Sequence, residues 1–402
     1  MKKHIVILCD GAADTPVTEL NGKTPLEVAH KPNIDRIASM GEMGMTITVP
    51  GNLPPGSDVA NLAVFGYDPQ IYYTGRSPLE AVSIGVPLEL TDTTFRANLV
   101  TLSEAEEKYE EKTMVDYSSD EITTDEAEKL IQAVNEALKT QEYEFFRGIS
   151  YRHLLVWHNK ENKFSLTPPH DISDRKITEY LPKDDVLLAL MKKSYDILKD
   201  HPVNQDRRKR GLRPANSIWI WGNGTKPNLT TYKERFDITG AVVSAVDLIK
   251  GIGYCAGLDV IDVPGATGNV HTNFDGKAQA AIRALQNGAD FVYVHLEAAD
   301  EAGHRREVNN KVKAIELIDE KIVGPIVKAM EESQTPFNML IMPDHPTPLA
   351  IKTHTSDPIP YILYNSEKNK NAAPVVYTEE NAKATGIITE KAYTLMNRLL
   401  EK

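Results

Sequence analysis

Cysteine is almost absent: Cys9 and Cys255 are the only two in 402 residues. That excludes a disulfide framework and points to a reducing compartment, so the expected location is the cytoplasm. Long apolar runs are missing too. Ile5-Val6-Ile7-Leu8-Cys9 stops at Asp10, too short for the apolar core of a secretory leader although Lys2-Lys3 precedes it. Nothing approaches the roughly 18 residues of a membrane span, and no membrane partner is expected. Basic charge is in deficit, with 45 Lys+Arg against 57 Asp+Glu and a net charge of −12. This argues against nucleic acid as a partner, while a local Arg/Lys cluster can still receive a small anion. There is no G-x-x-x-x-G-K-[ST] loop, which weakens an ATP-dependent reading. Internal repeats, heptads and low-complexity tracts are also lacking.

What is present is an alternation of strand and helix patterns. Short runs rich in Val, Ile and aromatics read as buried strands at 5–9, 217–221, 258–263, 291–296, 338–342 and 361–364. Helical patterns fall at 33–40, 241–249 and 276–286, with a long one near 305–333. Such alternation predicts an α/β fold, a mostly parallel sheet with helices on both faces. From about 91 to 236 the composition turns polar and loop-rich. Helices are still predicted there at 124–139 and 184–198, with strands near 96–102 and 152–157. The expectation is a discontinuous first domain, 1–90 with 237–402, carrying a smaller α/β domain inserted at 91–236. The length is suited to that division.

Acidic and imidazole side chains gather at strand ends. Asp10 ends the first strand, Asp300 and His304 follow the strand at 291–296, and Asp344-His345 follows the strand at 338–342. His354 lies in the loop before the strand at 361–364. Ligands of open parallel sheets bind at the carboxyl ends of the strands. Oxygen and imidazole donors suit Mn2+, Zn2+ or Mg2+ rather than Cu(I) or an iron–sulfur cluster. Taken singly, each Asp is as well explained as a helix cap or turn residue.

Ser57 follows Pro54-Pro55-Gly56 and opens a helical pattern. It reads either as an ordinary N-cap or as a nucleophile whose phosphorylated form is held by free N–H groups and the helix dipole. A basic set, Arg96, Arg152, Arg175-Lys176 and 207–210, lies in the insert, with Lys277 outside it. Arg offers a bidentate fork to phosphate or carboxylate, although such runs are commonly solvated faces. His153 and His170-Asp171 are the insert's proton-carrier candidates.

The order Asp-Gly after the first strand, Ser in a Pro/Gly turn, D-x-x-x-H, D-H and a final His resembles the alkaline phosphatase superfamily. Cys9-Asp10-Gly11-Ala12-Ala13-Asp14, Pro55-Gly56-Ser57-Asp58, Phe95-Arg96-Ala97-Asn98-Leu99, Tyr151-Arg152-His153-Leu154-Leu155 and Pro168-Pro169-His170-Asp171 are similar to motifs of the archaeal-type cofactor-independent phosphoglycerate mutases. The resemblance covers nearly the whole chain. It implies an alkaline-phosphatase-like fold and two divalent ions, with Mn2+ ahead of Mg2+ or Zn2+. One ion would be held by Asp300, His304 and His354, the other by Asp10, Ser57, Asp344 and His345. It further implies that Ser57 takes the phosphate of 3-phosphoglycerate and returns it to the other hydroxyl, giving 2-phosphoglycerate in glycolysis or gluconeogenesis without 2,3-bisphosphoglycerate. The inserted domain would act as a cap, with His153, Asp171, Arg207 and Arg210 as substrate contacts and Lys277 beside the phosphate. Asp171 or His153 would do acid/base work. A homoserine kinase-like phosphotransferase or a metal-dependent phosphohydrolase would use the same nucleophile. A binding protein without catalysis is disfavoured, since all seven ligand positions carry competent residues. Oligomeric state is left open.

Overall fold

In the computed structural model, which describes residues 2–368 and 374–402, the chain divides into two units, Met1–Tyr73 with Asn228–Lys402, and Thr74–Pro227. The second unit begins earlier than position 91 because the Ser77–Ser83 helix packs on the strands Thr93–Leu102 and Ser217–Thr225. Ser77 Oγ and Thr94 Oγ1 are hydrogen-bonded there at 2.8 Å.

The first unit is built on an eight-stranded sheet. From one edge its strands are Ile388–Thr389, Glu42–Thr46, Ile359–Asn365, Phe337–Met342, Lys3–Cys9, Phe291–Leu296, Gly240–Val243 and Asp259–Ile261. Among the described residues, only Ile359–Asn365 runs against its neighbours. Lys3–Cys9 sits between two parallel partners, with Ile5 opposite Val292 and Met339. Ile5, Val6, Ile7 and Leu8 are each fully buried. A strand covered on both faces must be apolar on both, so it reads as a continuous apolar run from Ile5 to Cys9. Ile5, Ile7 and Cys9 face a core completed by the helices Pro32–Met40, Phe274–Gln286, Val308–Ile318 and Gly324–Glu332. On the other face Phe65 stacks on Tyr293 at 4.0 Å, and Asp247–Cys255 packs on Gly240–Val243.

Two expected helices are corrected. Residues 241–249 are not one helix: Gly240–Val243 is a buried parallel strand, and the helix Asp247–Cys255 starts after it. Nor is 305–333 continuous. Arg306 adopts φ 56° and ends the helix Ala298–Arg305, and a π-helical turn at Asp319–Val323 separates Val308–Ile318 from Gly324–Glu332. At the head of that turn is Asp319, a buried carboxylate at the start of Pro32–Met40. It accepts from Ile34 N at 2.7 Å and Asn33 Nδ2 at 2.8 Å. Lys31, the cap position of that helix, provides no side-chain cap, so Asp319 satisfies the free N–H instead.

The second unit has an antiparallel sheet in which Thr93–Leu102 lies between Arg152–Trp157 and Ser217–Thr225. Tyr143–Phe146 and Met114–Asp116 extend it. The helices Thr124–Leu138 and Asp185–Leu198 close a separate core around Phe95, Leu99, Leu130, Val134, Leu187 and Trp219.

Candidate active site

The strand Lys3–Cys9 delivers Asp10, and its two parallel neighbours deliver the rest. Phe291–Leu296 leads into the helix bearing Asp300 and His304, and Phe337–Met342 leads to Asp344 and His345. Between Asp10 and Ala12 the chain turns at Gly11, φ 63°. A Cβ on Gly11 would lie 2.6 Å from both Asp300 Oδ1 and Thr347 Oγ1, so this position requires glycine on two counts.

The donor atoms form two groups. Asp10, Asp344 and His345 make one, and Asp300, His345 and His354 the other, so His345 belongs to both. His304 Nε2 joins the second group, 2.9 Å from His354 Nε2 and 3.2 Å from Asp300 Oδ2. The sharing of His345 differs from the expected partition, which gave it to one group only. Ser57 is the first residue of the helix Ser57–Val64, and its Oγ lies 3.1 Å from His345 Nε2. One turn on, Asn61 donates to Ser57 O at 2.9 Å and Asp344 Oδ2 at 2.8 Å. Tyr293 Oη donates to Asn61 Oδ1 at 2.6 Å. The serine is therefore fixed to the carboxylate cluster through its own helix.

The electrostatics of the cluster fit divalent cations. Burial, then the nearby carboxylates of Asp344, Asp300 and Glu297, push Asp10 well above the ordinary carboxylate range. Burial alone would raise Asp300 as well, but hydrogen bonds with His304 and His354 hold it well below that range. The same Asp300 contact lifts His304 to about 9, whereas burial lowers His345. Asp10 Oδ1 is buried and has no hydrogen-bond partner among the described residues. An unpaired carboxylate oxygen beside two further acids is costly to bury, and a divalent cation in contact with it removes that cost. Oxygen and imidazole donors together suit Mn2+, Zn2+ or Mg2+.

Lys277 is buried and donates to His295 O at 3.1 Å, its ammonium lowered to about 8 by burial. In the inserted unit the expected contacts divide. Asp171 is exposed beside His170, whose ring meets Trp221 edge-on at 5.3 Å. Arg96 lies 4.6 Å over the same indole and pairs with Glu80 at 3.0 Å. His153 is buried with its Nδ1 accepting from Gly148 N, and burial lowers it to about 3, so it is a neutral imidazole near neutrality. Arg207, expected as a substrate contact, has its donors engaged within the inserted unit. Its guanidinium is buried, donating to Glu126 at 2.7 Å, Ser119 O at 2.6 Å and Arg213 O at 2.9 Å. Arg210 is ion-paired to Glu126 and Asp206.

Sequence reasoning missed four residues that shape the cluster: Asn61, Thr347, Tyr293 and His295. Thr347 Oγ1 donates to Asp300 Oδ1 and lies 3.3 Å from His345 Nδ1. His295 Nε2 is 2.9 Å from Asp10 Oδ2. A signal existed for His295, the one imidazole in Phe-Val-Tyr-Val-His-Leu.

Residues 38–204 match the model of the 2,3-bisphosphoglycerate-independent phosphoglycerate mutase family. A Geobacter sulfurreducens protein named as a probable 2,3-bisphosphoglycerate-independent phosphoglycerate mutase is 48% identical, over 100% of both chains. A Methanosarcina barkeri protein named as a 2,3-bisphosphoglycerate-independent phosphoglycerate mutase is 47% identical over 99% of each. Among solved structures, a Pyrococcus horikoshii protein is 29% identical with a TM-score of 0.81, covering 100% of this chain and 98% of its own. The cofactor-independent phosphoglycerate mutase of Thermoplasma acidophilum is 27% identical with a TM-score of 0.68, covering 100% and 99%.

Proposed function

The chain belongs to the 2,3-bisphosphoglycerate-independent phosphoglycerate mutases, and on that premise we propose that it interconverts 3-phosphoglycerate and 2-phosphoglycerate through a phosphoserine at Ser57. The observation that supports Ser57 most directly is its Oγ, 3.1 Å from His345 Nε2 at the start of a helix tied to Asp344 by Asn61. Family membership makes the protein an isomerase that uses divalent metal and needs no bisphosphoglycerate. We propose Mn2+ as the working ion and the cytoplasm as its location.

In this reading Ser57 Oγ displaces the 3-oxygen of the substrate from phosphorus, which leaves glycerate and a phosphoserine. The departing oxygen takes up a proton. Glycerate then turns, its 2-hydroxyl gives up a proton as it attacks the same phosphorus, and Ser57 is released. Asp171, exposed and acidic, is the proposed proton carrier; His153, neutral and buried, is suited to positioning. Lys277 is proposed to stand beside the phosphate, where a lysine near 8 is charged at neutral pH but easily relieved of its proton. Asp10, Asp344 and His345 with Ser57 Oγ, and Asp300, His304 and His354, would hold two divalent ions, whose charge favours the ionised serine and the crowded phosphoryl oxygens. The N-terminus of Ser57–Val64 adds its dipole to the same end.

The test is to supply 3-phosphoglycerate alone and follow 2-phosphoglycerate by phosphorus NMR. Conversion without bisphosphoglycerate is expected, and Ser57→Ala should lose it by at least about a thousand-fold while keeping fold and metal content. Wild-type turnover in that variant would remove Ser57 as nucleophile. Release of inorganic phosphate, or ATP-dependent phosphorylation of homoserine, in place of 2-phosphoglycerate would refute the mutase reaction.

A further inference from the structure

We propose that His295 is a positioning residue which, backed by Ser244, turns Asp10 so that one carboxylate oxygen is left free to bind a cation. The inference rests on the reading that this cluster holds divalent ions.

His295 is fully buried in Phe291–Leu296, paired in register with Leu8, two residues before Asp10. Its hydrogen bonds determine which nitrogen carries the proton. Ser244 Oγ accepts from Val246 N at 3.0 Å, so the hydroxyl hydrogen is free to be donated. Ser244 Oγ lies 3.3 Å from His295 Nδ1. An ionised Asp10 holding a cation can only accept, so Nε2 carries the hydrogen and donates to Asp10 Oδ2 at 2.9 Å, and Nδ1 is left to accept from Ser244 Oγ. Lys277 Nζ holds the backbone carbonyl of the same residue at 3.1 Å. With Oδ2 engaged, Oδ1 stands buried without a hydrogen-bond partner among the described residues, 3.7 Å from His345 Nε2. A freely rotating Asp10 would offer either oxygen or both. The Ser244–His295 pair selects one, and hydrogen bonding of this kind to a ligand changes metal affinity by about 10–100-fold.

The test compares His295→Leu, which removes the donor, with His295→Gln, whose amide nitrogen reaches about as far as Nε2. Mn2+ binding to chelator-stripped full-length protein is measured by titration calorimetry, with melting of the metal-free proteins as the check on folding. The Leu variant should bind Mn2+ 10–100-fold more weakly, the Gln variant should recover most of that loss, and kcat at saturating Mn2+ should change less than the Mn2+ requirement. Leu binding within twofold of wild type overturns the proposal. So does a Gln variant as weak as Leu, because His295 would then only fill space. A wild-type protein that binds no Mn2+ overturns the metal reading and this proposal together, whereas normal wild-type binding with unaffected variants overturns this proposal alone.

Discussion

Lys311 offers the sharpest test of how the ligand loops are held. Its side chain is fully buried on Val308–Ile318, and its three N–H bonds meet three acceptors: Asp14 Oδ2 at 2.7 Å, Thr347 O at 2.8 Å and Ala13 O at 3.3 Å. Ala13 and Asp14 follow Asp10 by three and four residues, and Thr347 follows His345 by two and bonds Asp300. One ammonium therefore joins the loops that carry most of the cluster. Lys311→Met keeps the volume of the stem but leaves Asp14 buried with only the N–H groups of Thr15 and Leu349 as donors. Removing one partner of a buried pair costs about 3–5 kcal/mol. Asp14→Asn added to Lys311→Met removes the stranded charge, so the double variant should recover about 2 kcal/mol of that loss, the size expected for directly coupled neighbours. Urea unfolding should be followed by far-UV circular dichroism, because Trp157, Trp219 and Trp221, the only tryptophans, all lie in Thr74–Pro227. A loss below about 1 kcal/mol for Lys311→Met, or a double variant no better than the single, would refute the clamp.

Gly11→Ala should destabilise by more than the 1–2 kcal/mol of left-handed backbone strain and release metal, since its Cβ would displace Asp300; full metal content by plasma mass spectrometry would count against this. Chelation should abolish turnover and Mn2+ restore it. Mn2+ at 100 times its Kd should also add about 2.7 kcal/mol of stability per site, and an unchanged melting temperature would sink the two-ion reading. His153 carries a pH prediction. Its folded value near 3 lies below the ordinary 6.5, so the unfolded chain binds the extra proton between those values. Its stabilisation is complete above pH 6.5 and is lost as pH falls towards 3, by at most about 1.4 kcal/mol per unit. Urea midpoints of His153→Gln should fall less steeply over that window; parallel curves would show that the imidazole is not kept neutral by burial.

The parallel strands were legible because burial on both faces leaves little room for polar alternation, so the apolar runs at 5–9, 291–294 and 339–342 stand out. Gly240–Val243 was not, for it is only four residues long and its Ala-Val-Val continues without a turn signal into the pattern of Asp247–Cys255. Apolar periodicity in so short a run does not separate strand from helix. The segment 305–333 failed for a different reason. Helix patterning persists on either side of Arg306, where no proline marks the break, and it resumes after the π turn although Gly324-Pro325 follows that turn directly. The unit boundary at Tyr73/Thr74 was hidden because the helix Ser77–Ser83 carries no composition of its own that ties it to the antiparallel sheet it covers.

At the site, the ligands were visible because a carboxylate or imidazole that ends an apolar strand is out of character with the run before it. His295 has the same chemistry one residue earlier, inside the strand, where a single residue in the pleat decides between a core position and the edge of the cluster; only register with Leu8 and Asp10 reveals which it is. The Arg207–Arg210 run shows the limit of reading charge without a face. Four basic residues in a row suggest an anion-facing surface, yet Pro202–Lys209 is a helix, and Asn204 and Arg207, three apart, share its buried side. Asn204 binds Leu198 O and Ala215 O there, and Arg207 turns inward to Glu126 and Ser119 beside it. A charged residue is assigned by the face it occupies, and Arg207 lies inside because it shares the face of Asn204, three residues before it.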